Sequence, residues 1–122
     1  KDQGILEESL KKERVVGKIQ RQNFKKAVKA NANISFGTDA GIYPHGRNAI
    51  QFKYMVEWGM TPLQAIQAST IKTAELFGLA NIGNLTEGLE ADILGVEGNP
   101  LEDITILENV TFVMKDGVIF KQ

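Results

Sequence analysis

The chain has 122 residues, 43% of them hydrophobic, and a formal net charge of -1 from 14 Lys and Arg against 15 Asp and Glu. That supports one modest core, and the near-neutral balance excludes a general pull toward nucleic acid or an anionic membrane surface. With no cysteine, disulfides, thiolate metal sites and cysteine nucleophiles are excluded, and no apolar run reaches the roughly 20 residues of a membrane span.

The first predicted element is a helix from Lys11 to Lys29, rich in Lys and Arg. Val16, Ile19, Ala27 and Ala30 recur at helical intervals, so it reads as an amphipathic surface helix with a solvated basic face. A short strand, Ile34 to Phe36, follows and breaks off into Gly37-Thr38-Asp39-Ala40. An acidic side chain therefore stands at the carboxyl end of a strand, where α/β folds collect ligands and catalytic groups. Gly41, Pro44, His45 and Gly46 come next, so the single histidine shares this loop with Asp39. Spacing alone leaves two readings open: Asp39 and His45 are functional, or Asp39 caps a turn and His45 is an ordinary loop residue.

A second helix is expected from near Asn48, with Ala49, Phe52, Val56 and Gly59 on one face and Gly59 as its stop. Thr61-Pro62-Leu63-Gln64 is a helix start, with Thr61 as N-cap, Pro62 at the first helical position and Gln64 closing a capping box. Leu63, Ile66 and Thr70 then share a face, and the pattern resumes at Ile71, Ala74 and Phe77 before Gly78 stops it. From about Ile82 the spacing changes to short apolar runs between turn pairs. Val110 to Met114, then Asp116-Gly117, then Val118 to Phe120 read as a β-hairpin, because Asp-Gly supplies the positive φ angles of a two-residue turn. Tyr54 and Trp58 read as packing residues, and Asp92 and Asp103 as turn or cap residues.

A boundary is expected near residue 80, with a helix-rich α/β segment before it and a small β module after it. The lone strand Ile34 to Phe36 would leave both edges unpaired, an arrangement isolated domains avoid. Together with the start at Lys1-Asp2-Gln3, this reads as part of a longer chain.

Several stretches carry a resemblance. Ser35-Phe36-Gly37-Thr38-Asp39-Ala40-Gly41, with Pro44-His45-Gly46 behind it, resembles the last catalytic strand of the metal-dependent amidohydrolase superfamily. Gly59 to Ile66 with Ala68 and Thr70 is similar to the same family, as are Ile82 to Leu85, Gly88, Ala91 to Ile93, Gly98 to Ile104 and Val113 to Gly117. The similarity runs in order from Ile34 onward. Within the superfamily it is closest to the imidazolonepropionase-like branch that includes Xaa-Pro dipeptidases (prolidases) and related carboxypeptidases.

The resemblance implies an α/β fold, the C-terminal part of a distorted (β/α)8 TIM-like barrel followed by a small β-sandwich portion. Residues 1–80 would be the C-terminal segment of the barrel and residues 81–122 the C-terminal strands of the sandwich. It also implies one or two divalent metals, zinc foremost, at the barrel mouth. The family's ligands are an HxH pair, often a carboxylated lysine, two further histidines, and the aspartate ending the last strand; only that aspartate has a counterpart here, Asp39. Asp39 is thereby implied as a metal ligand and as the catalytic group that directs a water, takes its proton and passes it to the leaving amine. His45 is implied to contact substrate or shape the pocket mouth. Arg47 could pair with a substrate carboxylate, the alternative being a plain surface arginine.

The implied reaction is hydrolysis of an amide, peptide (an Xaa-Pro dipeptide or a C-terminal residue) or cyclic amide C–N bond. The implied substrate is a small peptide or cyclic amide, with no nucleic acid and no membrane as partner. With one histidine no HxH pair exists, so the isolated chain is expected to be inactive and to hold no tightly bound metal. The other class of reading is a non-catalytic binding or assembly module that forms a homo-oligomer or pairs with a partner, the missing N-terminal part included. No residue pattern specifies a compartment.

Overall fold

The computed structural model describes residues 2–41, 44 and 46–122. The chain divides into two compact units, Lys1–Ala32 and Asn33–Gln122. No helix among the described residues is long and apolar enough to cross a membrane.

The first unit is helical throughout: α1 (Asp2–Lys12), a π-helical segment Glu13–Gly17, and α2 (Lys18–Lys29). It begins well before the expected Lys11, because Leu and Glu extend a good helix-forming sequence upstream and Glu7 pairs with Lys11 one turn on at 3.4 Å. Gly17 is buried under an ion pair between Arg21 and Glu13 at 2.8 Å. Helix α2 is closed by Asn31, whose φ of 53° is left-handed; Asn31 N–H donates to the Val28 carbonyl and Ala32 N–H to the Ala27 carbonyl, each at 3.0 Å. This is the Schellman arrangement, which satisfies carbonyls that a helix end otherwise leaves orphaned.

The second unit holds α3 (Ile50–Glu57), α4 (Pro62–Ser69), α5 (Ile71–Phe77), β1 (Ile93–Val96), a 3-10 segment (Ile104–Glu108), β2 (Val110–Lys115) and β3 (Val118–Lys121). Its buried apolar residues are Met55, Met60, Ala65, Ala68, Ala74 and Ile104. They sit where α3 packs on the 3-10 segment and on α4, and where α4 packs on α5. The expected faces shift accordingly. Met55, not Val56, is the buried side chain of α3, and Ala65 and Ala68 take the interior of α4 while Leu63 stays half-exposed. Alanines let the helix axes approach closely, which Leu63 and Ile66 would prevent. Phe77 is 69% exposed rather than packed beside Ala74.

The helix boundaries follow local chemistry. Thr61 Oγ1 accepts from Gln64 N–H at 3.2 Å and Gln64 Oε1 accepts from Thr61 N–H at 2.8 Å, closing the expected capping box. After α3, Gly59 N–H donates to Val56 and Met60 N–H to Met55; after α5, Gly78 N–H donates to Glu75 and Leu79 N–H to Ala74. Both are Schellman ends built on a positive-φ glycine, and Gly78 has φ 68°. Gly78→Ala is expected to lower the unfolding free energy by about 1 kcal/mol, read as a shift of the urea midpoint at constant slope.

The expected strand Ile34 to Phe36 is not a strand in the structure: it makes no ladder. A strand needs a neighbour, and the three strands of this unit pair among themselves as an antiparallel sheet in the order β1-β2-β3. The segment is instead tied to helices. Phe36 N–H donates to the Ala68 carbonyl at 2.9 Å, and the Phe36 ring lies 4.6 Å from that of Phe52 on α3.

The hairpin is as expected. Asp116 (φ 50°) and Gly117 (φ 74°) form the two-residue turn between the paired Lys115 and Val118. Asp92 clamps it from the β1 side: its carboxylate accepts from Lys115 Nζ at 2.7 Å and from Asp116 N–H at 2.9 Å. The Lys115 hydrogen bond, then the Asp116 N–H, hold the Asp92 carboxyl below its ordinary 3.8, and the same bond raises Lys115 above 10.5. A lowered folded-state carboxyl stabilises above its unfolded value and loses that contribution as pH falls through the folded one. The raised lysine contributes below its unfolded value and loses it as pH rises through the folded one. Asp92→Asn is therefore expected to lower Tm at pH 7, and the difference from the parent to shrink as pH falls below the ordinary carboxyl value, measured by thermal melts across that range.

Candidate functional site

The segment Ile34 to Thr38 delivers Asp39 to the surface. Phe36 is fixed twice, by its main-chain bond to Ala68 and by its ring on Phe52. Three residues on, Asp39 is exposed and has φ 47°, a left-handed conformation that aspartate tolerates better than most residues. Its carboxylate makes no hydrogen bond or ion pair with any described residue. His45, expected in the same loop, lies outside the described residues.

Arg47 is exposed, and its guanidinium makes no ion pair among the described residues. Its carbonyl accepts from Ile50 N–H at 3.2 Å, the turn that opens α3. Neither a hydrogen bond nor an ion pair joins Arg47 to Asp39. Beside it, the Asn48 Oδ1 is buried without a hydrogen-bond partner among the described residues. An unmade bond of that kind costs about 1–3 kcal/mol.

The other candidate carboxylates are structural. Asp92 clamps the hairpin, and Asp103 caps the 3-10 segment, accepting from Thr105 Oγ1 at 2.6 Å and Thr105 N–H at 2.9 Å. Those two bonds, the hydroxyl first, hold its carboxyl below the ordinary value. Tyr54 and Trp58 stack one turn apart on α3 with ring centroids 5.5 Å apart.

Among the described residues no group of three or more His, Cys, Asp or Glu side chains is placed to hold a metal ion. Asp39 offers one exposed carboxylate, without a partner among the described residues, and does not by itself make such a centre.

The model of the Amidohydrolase family matches residues 2–120. The chain belongs to that family. Its architecture is the C-terminal part of a (β/α)8 amidohydrolase barrel followed by a small β portion. It is 38% identical over 125 residues to an ochratoxinase of Aspergillus niger, covering 98% of this chain and 26% of that protein. It superposes on a crystal structure of a Xaa-Pro dipeptidase with bound methionine in the active site at a TM-score of 0.85 and 44% identity, over 89% of this chain and 27% of that one. The crystal structure of Aspergillus niger ochratoxinase gives a TM-score of 0.83 at 37% identity, over 95% of this chain and 28% of that one. The chain thus spans about a quarter of the length of these relatives.

Proposed function

We propose that the chain is the C-terminal portion of a metal-dependent hydrolase that cleaves an amide or peptide C–N bond, with Asp39 at its reacting centre. In this reading residues 1–80 complete the barrel and residues 81–122 contribute strands to a β-sandwich. The observation that carries it is the exposed Asp39 carboxylate, without a partner among the described residues, presented by a doubly anchored segment in a chain of this family. Similarity to a Xaa-Pro dipeptidase and to an ochratoxinase supports a small peptide or other small amide as substrate.

Asp39 would be one carboxylate ligand of a divalent metal, zinc in our reading. The metal, when bound, supplies an acidified water and charge stabilisation. Asp39's own part is proton traffic: one Oδ accepts a proton at the start of bond cleavage and gives it to the departing nitrogen. Arg47, unpaired among the described residues, would bind a substrate carboxylate through two parallel N–H bonds. His45 would line the pocket mouth beside it.

The remaining ligands would come from the rest of the protein, which would also cover the apolar faces left open here. These include Leu76 and Phe77 on α5, Leu85 in the chain after it, and Val118, Ile119 and Phe120 on β3, all about half exposed or more.

The whole protein, assayed with Met-Pro, N-acetyl-phenylalanine and ochratoxin A, is expected to hydrolyse at least one, with loss of activity on chelation and recovery on adding zinc. Hydrolysis of none, with metal supplied, counts against the reading. Zinc titrated calorimetrically into the 122-residue chain alone is expected to show no tight stoichiometric site.

A further inference from the structure

The break between α4 and α5 falls at Thr70, whose φ of -121° and ψ of -102° leave helical geometry. In an unbroken helix the Ala68 carbonyl would accept from the N–H four residues on. Here two other donors take it: Phe36 N–H at 2.9 Å and the Thr73 hydroxyl at 2.6 Å. A carbonyl oxygen has two lone pairs, and this one is fully used. Ala68 is 1% exposed, so the junction lies out of water, where hydrogen bonds are stronger and an unmade one is costly. Ser69 and Thr70 hydroxyls both return to the Ile66 carbonyl at 2.8 and 2.9 Å, so neither competes for Ala68. Thr73 is thus the side chain that holds this carbonyl in place for Phe36, and Phe36 is three residues from Asp39.

We propose that Thr73 is a positioning residue for Asp39, acting through the Ala68 carbonyl and the Phe36 amide. This rests on the reading of Asp39 given above. The hydroxyl loads one lone pair and fixes the direction of the other; without it the carbonyl keeps only the Phe36 bond and the segment carrying Asp39 is held less firmly. Small misplacements of a reacting group are expensive in rate, about 10²-fold for 1 Å.

The test uses the whole protein with Thr73→Val, which keeps the shape and removes the hydroxyl, and Thr73→Ser, which keeps the hydroxyl. Should Thr73→Val fail to fold, Thr73→Ala takes its place. Three quantities are read: hydrogen exchange of the peptide containing Phe36, zinc affinity of the metal-free protein, and kcat and KM on Met-Pro. Thr73→Val is expected to exchange about tenfold faster at Phe36, to bind zinc several-fold more weakly, and to lose about tenfold in kcat with KM within twofold. Thr73→Ser is expected to restore all three. A folded Thr73→Val protein with unchanged zinc affinity and kcat overturns the proposal, as does failure of Thr73→Ser to rescue. Asp39→Asn separates the two ideas. If it loses zinc affinity and turnover while Thr73→Val loses neither, only the role of Thr73 falls; if it loses neither, the reading of Asp39 falls and that of Thr73 with it.

Discussion

Asp39→Asn in the whole protein is expected to lower kcat by about 10³-fold, within the usual range for removing a positioned acid–base group. Asparagine has the same shape and tolerates the left-handed backbone that Asp39 adopts at φ 47°, so the substitution removes charge and basicity with little strain. Asp39→Ala is a poorer test, because alanine pays a conformational cost at that φ and mixes folding with chemistry. Asp39 has no hydrogen-bond or ion-pair partner among the described residues, so the exchange breaks no bond to any of them. Tm is therefore expected to stay within a few degrees while kcat collapses and KM moves far less. A kcat within threefold of the parent would remove Asp39 from the proton path.

The second large effect concerns Gly83, where the loop after α5 lies against the helix break. A Cβ built there meets Ala74 Cβ at 2.9 Å, the Thr70 carbonyl oxygen at 3.1 Å and Ile71 Cα at 3.2 Å, and φ is 87°. Two of the three neighbours are backbone and cannot swing aside. Gly83→Ala is therefore expected to cost about 3 kcal/mol, strain at positive φ adding to overpacking. The measurement is the denaturant midpoint at constant slope. Ala74→Gly in the same chain removes one close contact and leaves the backbone ones, so the double variant is expected to recover only part of the loss. A change below about 0.5 kcal/mol, typical of unconstrained surface positions, would mean the loop moves freely off the helix.

What the sequence discloses is what local chemistry decides. The Thr61 capping box, the glycine ends at Gly59 and Gly78 and the Asp116-Gly117 turn each need only a few adjacent residues, and each stands where the residues place it. The caps at Asp92 and Asp103 are of the same kind, although the reach of Asp92 to Lys115 across the hairpin is not local and was not foreseen. Burial was less legible. Periodicity marks an apolar face, but whether alanine or leucine occupies the interior depends on how closely two helices approach, so Ala65 and Ala68 displaced Leu63. Ile34 to Phe36 has the composition of a strand, and composition cannot supply a neighbour. At the candidate site, Asp39 stands out in the sequence because an acidic residue follows an apolar run. The Thr73–Ala68–Phe36 junction joins residues 37 positions apart (73 − 36), and no pattern in either stretch announces it.

The most direct test of the central claim is the metal content of the purified whole protein, parent and Asp39→Asn side by side. The account predicts one or two divalent ions per chain in the parent and the loss of at least one in the variant. An Asp39→Asn protein that keeps the full complement, or a parent that turns over an amide substrate with no metal bound, would contradict it.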